Sequence, residues 1–101
     1  MKKYKIDVSP QFQNSLKRIF STLNKNQINR LANALDNLNQ MLSIFPESFP
    51  IVQFEKHSEI PFRKAVIGKR YVVIYFFQYE CIYLVNLFNS TENWKSKINL
   101  H

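Results

Sequence analysis

Residues 61–94 read PFRKAVIGKRYVVIYFFQYECIYLVNLFNSTENW, three strand-like runs joined by connections too short to hold helices. The runs are Phe62–Ile67, Tyr71–Phe77 and Cys81–Phe88. Val, Ile, Tyr and Phe dominate them, as a pleated and half-buried surface requires. Gly68, the one glycine of the chain, lies between the first two runs. A tight turn needs a residue there that takes positive φ without penalty. The run YVVIYFF (71–77) shows no polar alternation, so it predicts a central strand covered on both faces. Such a sheet needs a second layer.

The first half of the chain supplies that layer. Tyr4-Lys5-Ile6-Asp7-Val8 alternates apolar and charged, the pattern of a strand with one wet face. Ser9-Pro10 ends it: Ser9 suits an N-cap and Pro10 the first helical turn, where its missing N–H is no loss. Phe12, Leu16, Ile19, Phe20 and Leu23 form one helical stripe. Asn24-Lys25-Asn26 makes a short polar break. Ile28, Leu31, Ala32, Leu35, Leu38 and Leu42 then predict a longer helix ending near Ile44, with Asn29, Asn33 and Asn37 on its solvent side. Phe45-Pro46-Glu47-Ser48-Phe49-Pro50 closes it, because each proline biases its predecessor away from the helical region. Residues 51–61, with His57, read as a loop or edge segment. The order is β-α-α-β-β-β, a helical hairpin packed on the sheet, two-layer α+β.

A length of 101 residues sets one domain, 1–101, and 46% hydrophobic content argues for a folded globule. Cys81 is the single cysteine, so no intramolecular disulfide forms, and its apolar run predicts a buried thiol. No secretory signal and no membrane-length apolar run are present, which predicts a cytoplasmic protein. One cysteine with His57 and His101 offers no metal-ligand spacing, and a lone Gly68 makes no phosphate loop, so no metal or cofactor is expected.

Charge is the informative property. The net formal charge is +7, and residues 62–71 carry Arg63, Lys64, Lys69 and Arg70 with no acid. Such a field favours polyanions or acidic protein partners without choosing between them. Metal-free RNA cleavage needs a base, cations for the phosphorane and an acid for the leaving oxygen. Those cations, with Tyr71 and Tyr75 among the nearby tyrosines, have the right chemistry for that work; a core or sheet-face role accounts better for the tyrosines, and a solvated role at least as well for the cations. Composition and spacing end at a basic α+β domain that binds something anionic.

The same residues resemble the RelE/ParE superfamily of small toxins from bacterial type II toxin–antitoxin systems. The likeness runs along nearly the whole chain. It comprises the leading strand, the Ser9-Pro10 helix opening and the helix end at Phe45-Pro46-Glu47. It continues through Phe62-Arg63-x-x-Val66, Tyr71 and Tyr75 to Phe88-Asn89 and the tail Asn93-Trp94. The resemblance implies a helical hairpin on a twisted antiparallel sheet.

It also implies one of two activities. RelE-like members cleave mRNA in the ribosome with Lys, Arg and Tyr side chains on the sheet and tail. ParE-like members poison DNA gyrase. Arg63 follows the leading aromatic of its strand, where a basic residue often sits in the family. Val72 follows Tyr71, where a nuclease usually has its sheet arginine, and Thr91 stands where many relatives carry an arginine. These departures weaken the nuclease assignment, and the long hairpin and the FPESFP helix end look closer to the ParE-like branch. If RelE-like, the chain is an endoribonuclease with Arg63, Tyr71 and Tyr75 as catalytic candidates; if ParE-like, it is not an enzyme. A non-catalytic binding module on the same fold is the other class. The target-binding expectation is Arg63, Lys64, Lys69, Arg70, Trp94 and Lys95. The expected partner is an acidic cognate antitoxin in a hetero-oligomer, and the expected target is DNA gyrase or the ribosome with its mRNA.

Overall fold

The computed structural model describes residues 3–52 and 61–91. Its elements are β1 (Lys5–Val8), α1 (Pro10–Phe20), α2 (Lys25–Ile44), β2 (Ile51–Val52), β3 (Phe62–Ile67), β4 (Tyr71–Gln78) and β5 (Cys81–Asn89). The strands form one sheet in the order β1-β5-β4-β3-β2. The two helices and the antiparallel β3-β4-β5 meander are those expected from the hydrophobic pattern. The sheet as a whole is mixed, because β1 lies parallel to β5. Its partner strand comes last among the described elements, so periodicity within β1 carries no trace of that pairing.

Local chemistry sets each boundary. Ser9 caps α1: its Oγ accepts the Phe12 N–H at 3.0 Å and donates its own proton to the Val85 carbonyl at 2.6 Å. Val85 is the extra residue of a bulge in β5, between the pairs Ile74–Asn86 and Tyr75–Leu84. One serine thus satisfies an orphan helix amide and a carbonyl that the interrupted ladder sets free. The residues that read as a polar break open α2 instead, through a capping box. The Asn24 side chain accepts from the Gln27 N–H at 2.9 Å, and the Gln27 side chain accepts from the Asn24 N–H at 3.0 Å.

Gly68 takes φ +58, as its position in the turn requires, and Lys69 follows at φ +60. Two consecutive left-handed residues closed by an Arg70 N–H to Ile67 carbonyl bond make the turn whose twist matches a β-hairpin. The β4–β5 turn uses Tyr79 at φ +57, 88% exposed.

Leu31, Leu35, Leu38 and Leu42 of α2, with Phe12 and Ile19 of α1, pack on Ala65, Ile67, Val73, Tyr75, Ile82, Leu84 and Leu87. Val72, Ile74 and Phe88 on the opposite face are buried as well. The central strand is therefore covered on both sides, as its unbroken apolar run predicted. Asn29, Asn33 and Asn37 are all exposed. Cys81 is a correction: the thiol expected to be buried is half-exposed, since it starts β5 and faces away from the helices. Its Sγ donates to Asp7 Oδ2 at 3.5 Å.

Candidate functional site

Alternation along a strand separates neighbours in sequence, and this disperses the basic run of residues 62–71. In register with Tyr75, Arg63 points to the helix side, whereas Lys64 pairs across from Ile74 on the opposite side. Lys69 and Arg70 sit in the turn at the far end of β3. Six residues at about 3.3 Å each put Arg63 and Lys69 roughly 20 Å apart. The four cations do not form one patch.

At the first end, Arg63 serves the fold. Its Nη1 donates to the Phe49 carbonyl at 2.7 Å and more weakly to the Glu47 carbonyl at 3.3 Å. The guanidinium carbon lies 5.5 Å from the centre of the Phe77 ring, a cation–π distance. Beside it Tyr75 is fully buried, and its hydroxyl donates to the Pro46 carbonyl at 2.8 Å. Burial pushes the Tyr75 hydroxyl up to about 12, against the opposing pull of the Arg63 charge. The Phe49 ring meets Tyr75 edge-on at 6.3 Å. Together Arg63 and Tyr75 hold the helix-ending segment FPESFP on the sheet by its carbonyls. A buried hydroxyl that already donates to a backbone oxygen is a poor proton donor to a substrate.

The second end is open. A hollow of about 190 Å³ lies between the first half of α2 and the β3–β4 turn. Leu23, Leu31, Ala34 and Ile67 contribute its apolar lining, and Gln27, Arg30, Arg70 and Tyr71 its polar groups. Arg30 and Arg70 are exposed and Tyr71 is half-buried. The turn is tied to the end of β5 by the Ser90 N–H to Arg70 carbonyl bond of 2.7 Å. Of the expected site residues, the structure brings Arg70 and Tyr71 together here with Lys69 adjacent, and adds Arg30. Forty positions separate Arg30 from Arg70 in the chain, so no local pattern links them.

The sheet face away from the helices carries a row of aromatics. Phe62 meets Phe76 edge-on at 5.5 Å, and Phe76 stacks on Tyr83 at 4.9 Å. Asn86, 6% exposed on the same face, has an amide nitrogen with no hydrogen-bond partner. Val72, on the same face, is buried. Trp94 and Lys95 lie outside the described residues, as does His57. Among the described residues no group of three His, Cys, Asp or Glu side chains could hold a metal ion. No described helix is long and apolar enough to cross a membrane.

Residues 6–94 match the family model described as ParE toxin of type II toxin-antitoxin system, parDE. Among solved structures, the archaeal RelE–RelB complex from Pyrococcus horikoshii OT3 contains a similar chain, with TM-score 0.58 and 20% identity. That alignment covers 89% of this chain and 98% of the other. The solution structure of the conserved hypothetical protein HP0894 from Helicobacter pylori aligns with TM-score 0.50 and 16% identity, over 88% and 97% of the two chains. At these identities the likeness is one of fold. A search of curated proteins returns no match.

Proposed function

The chain belongs to the ParE toxin family and is the toxin of a type II toxin–antitoxin system, and we propose that it acts in the ParE-like manner. In this reading it arrests growth by engaging DNA gyrase in the cytoplasm and is neutralised by a cognate acidic antitoxin. The observation that carries the ParE-like choice is the engagement of Arg63 and Tyr75 with the Phe49 and Pro46 carbonyls. Two of the three side chains with nuclease chemistry are occupied in holding the fold, and the third, Tyr71, lies at the other end of β3. An acid–base reaction needs its groups within hydrogen-bond reach of one substrate. Non-catalytic binding to a large target needs only a surface of matching shape and charge, which the +7 net charge favours for a nucleic-acid-bound enzyme.

A second reading rests on the other sheet face. The Phe62–Phe76–Tyr83 row, whose rings are half-buried, has the character of a stacking platform for unpaired bases. That arrangement favours RelE-like cleavage of ribosome-bound mRNA. Purified toxin added to two assays separates the two: supercoiling by gyrase, and cleavage of a defined mRNA on translating ribosomes. The ParE-like reading expects loss of supercoiling with intact mRNA. Intact supercoiling with cut mRNA overturns it. Retention of both, with no growth arrest on induction, leaves the fold as a binding module without toxicity.

A further inference from the structure

The hollow beside the β3–β4 turn has a composition that neither activity above uses. Its floor is aliphatic, from Leu23, Leu31, Ala34 and Ile67, and its rim carries Arg30 and Arg70 from two separate elements. Among the described residues no acidic side chain lines it. Arg30 and Arg70 are exposed, and an anion seated against the apolar floor would displace water from beside them, which strengthens their attraction for a carboxylate or phosphate.

The floor decides which of these anions fits. A nucleobase laid there would find aliphatic carbon opposite most of its edge atoms, and each polar atom left without a partner is costly. A phosphate alone would meet the arginines and leave the apolar surface wet. An aliphatic or aromatic side chain fills the floor with no polar atom to satisfy, and acids on either side of it reach the rim. We infer that the hollow between α2 and the β3–β4 turn seats an apolar anchor residue of the antitoxin, flanked by carboxylates that pair with Arg30 and Arg70. This assignment rests on the toxin–antitoxin reading and adds to it a position and a chemistry of contact.

The test uses the full chain and the product of the gene beside it, purified separately and titrated in a calorimeter. R30E and R70E should each weaken the complex about tenfold or more, since a reversed charge faces a partner carboxylate. A34W, which fills the hollow, should weaken it further. K17E, an exposed change on α1, should leave affinity unaltered. Melting of each free variant near the wild-type temperature shows that folding is intact. Tight binding by the wild type and equal binding by R30E, R70E and A34W overturns the seat while the toxin–antitoxin reading stands. Failure of the wild type to bind the neighbouring protein overturns both. A short single-stranded oligonucleotide serves as the third probe. Loss of its binding in R30E and R70E, with antitoxin binding unchanged, assigns the hollow to nucleic acid and overturns the seat.

Discussion

The two ends of β3 carry the same kind of residues and put them to opposite uses. At one end Arg63 and Tyr75 are turned inward onto the backbone carbonyls of the helix-ending segment. At the other, Arg70 and Tyr71 border an open hollow with Arg30 opposite. Both ends pair an arginine with a tyrosine, so residue type does not separate them. What differs is the chain overhead. The FPESFP segment passes over the first end and brings carbonyls that need donors, whereas the second end meets the start of α2, whose carbonyls are taken up by bonds within the helix. An arginine is a site residue only where the backbone leaves it unclaimed.

The difference between the ends can be broken by substitution, and the largest effect belongs to the closed end. Tyr75→Ala should cost about 3–5 kcal/mol in equilibrium denaturation, because it removes a fully buried ring and its hydroxyl. A loss under about 1 kcal/mol would mean that the FPESFP segment is held by something else. Arg63→Ala should cost about 1.5–3 kcal/mol, as the Phe49 carbonyl loses a charged donor. Lysine at the same position should restore only part of that loss, lacking the planar fork.

The pH dependence sharpens the same end. The Tyr75 hydroxyl is raised from 10.0 to about 12 in the folded chain, so the folded state holds the proton more tightly than the unfolded one. Its contribution is fully present below pH 10 and is lost as pH rises from there through about 12. Tyr75→Phe should flatten this alkaline loss relative to wild type when urea midpoints are compared across that range.

Smaller effects are expected at the open end. Gly68→Ala should cost about 1–2 kcal/mol, from left-handed strain alone. At φ +58 an added Cβ meets no atom within 4 Å, so the cost is conformational rather than steric crowding. Arg70→Ala should change stability by no more than about 0.5 kcal/mol. A destabilisation of Arg70→Ala as large as that of Arg63→Ala would erase the distinction between the ends.

Much of this was legible before any coordinates. The stripes of α1 and α2, the Ser9 cap, the Gly68 turn and the doubly covered β4 follow from interactions between residues a few positions apart. Other features escaped for reasons of range. The capping box at Asn24 and Gln27 was visible as a motif, but its first residue and the two after it read as a polar break. The parallel pairing of β1 with β5 joins residues about eighty positions apart, and the bulge at Val85 has no mark within its own strand. Arg63 read as a catalytic and target-binding candidate because the carbonyls that claim it lie in another segment.

The sequence by itself determined the element order, the apolar faces and the family, because periodicity, capping and turn chemistry act locally and all point to one architecture. Only the tertiary structure decided which cations remain available. Pleating sends Arg63 and Lys64 to opposite faces, the FPESFP carbonyls take up Arg63, and packing of α2 on the β3–β4 turn brings Arg30 to Arg70. Whether a charged side chain is solvated, paired or spent on the backbone depends on what folds next to it, and those neighbours come from distant parts of the chain.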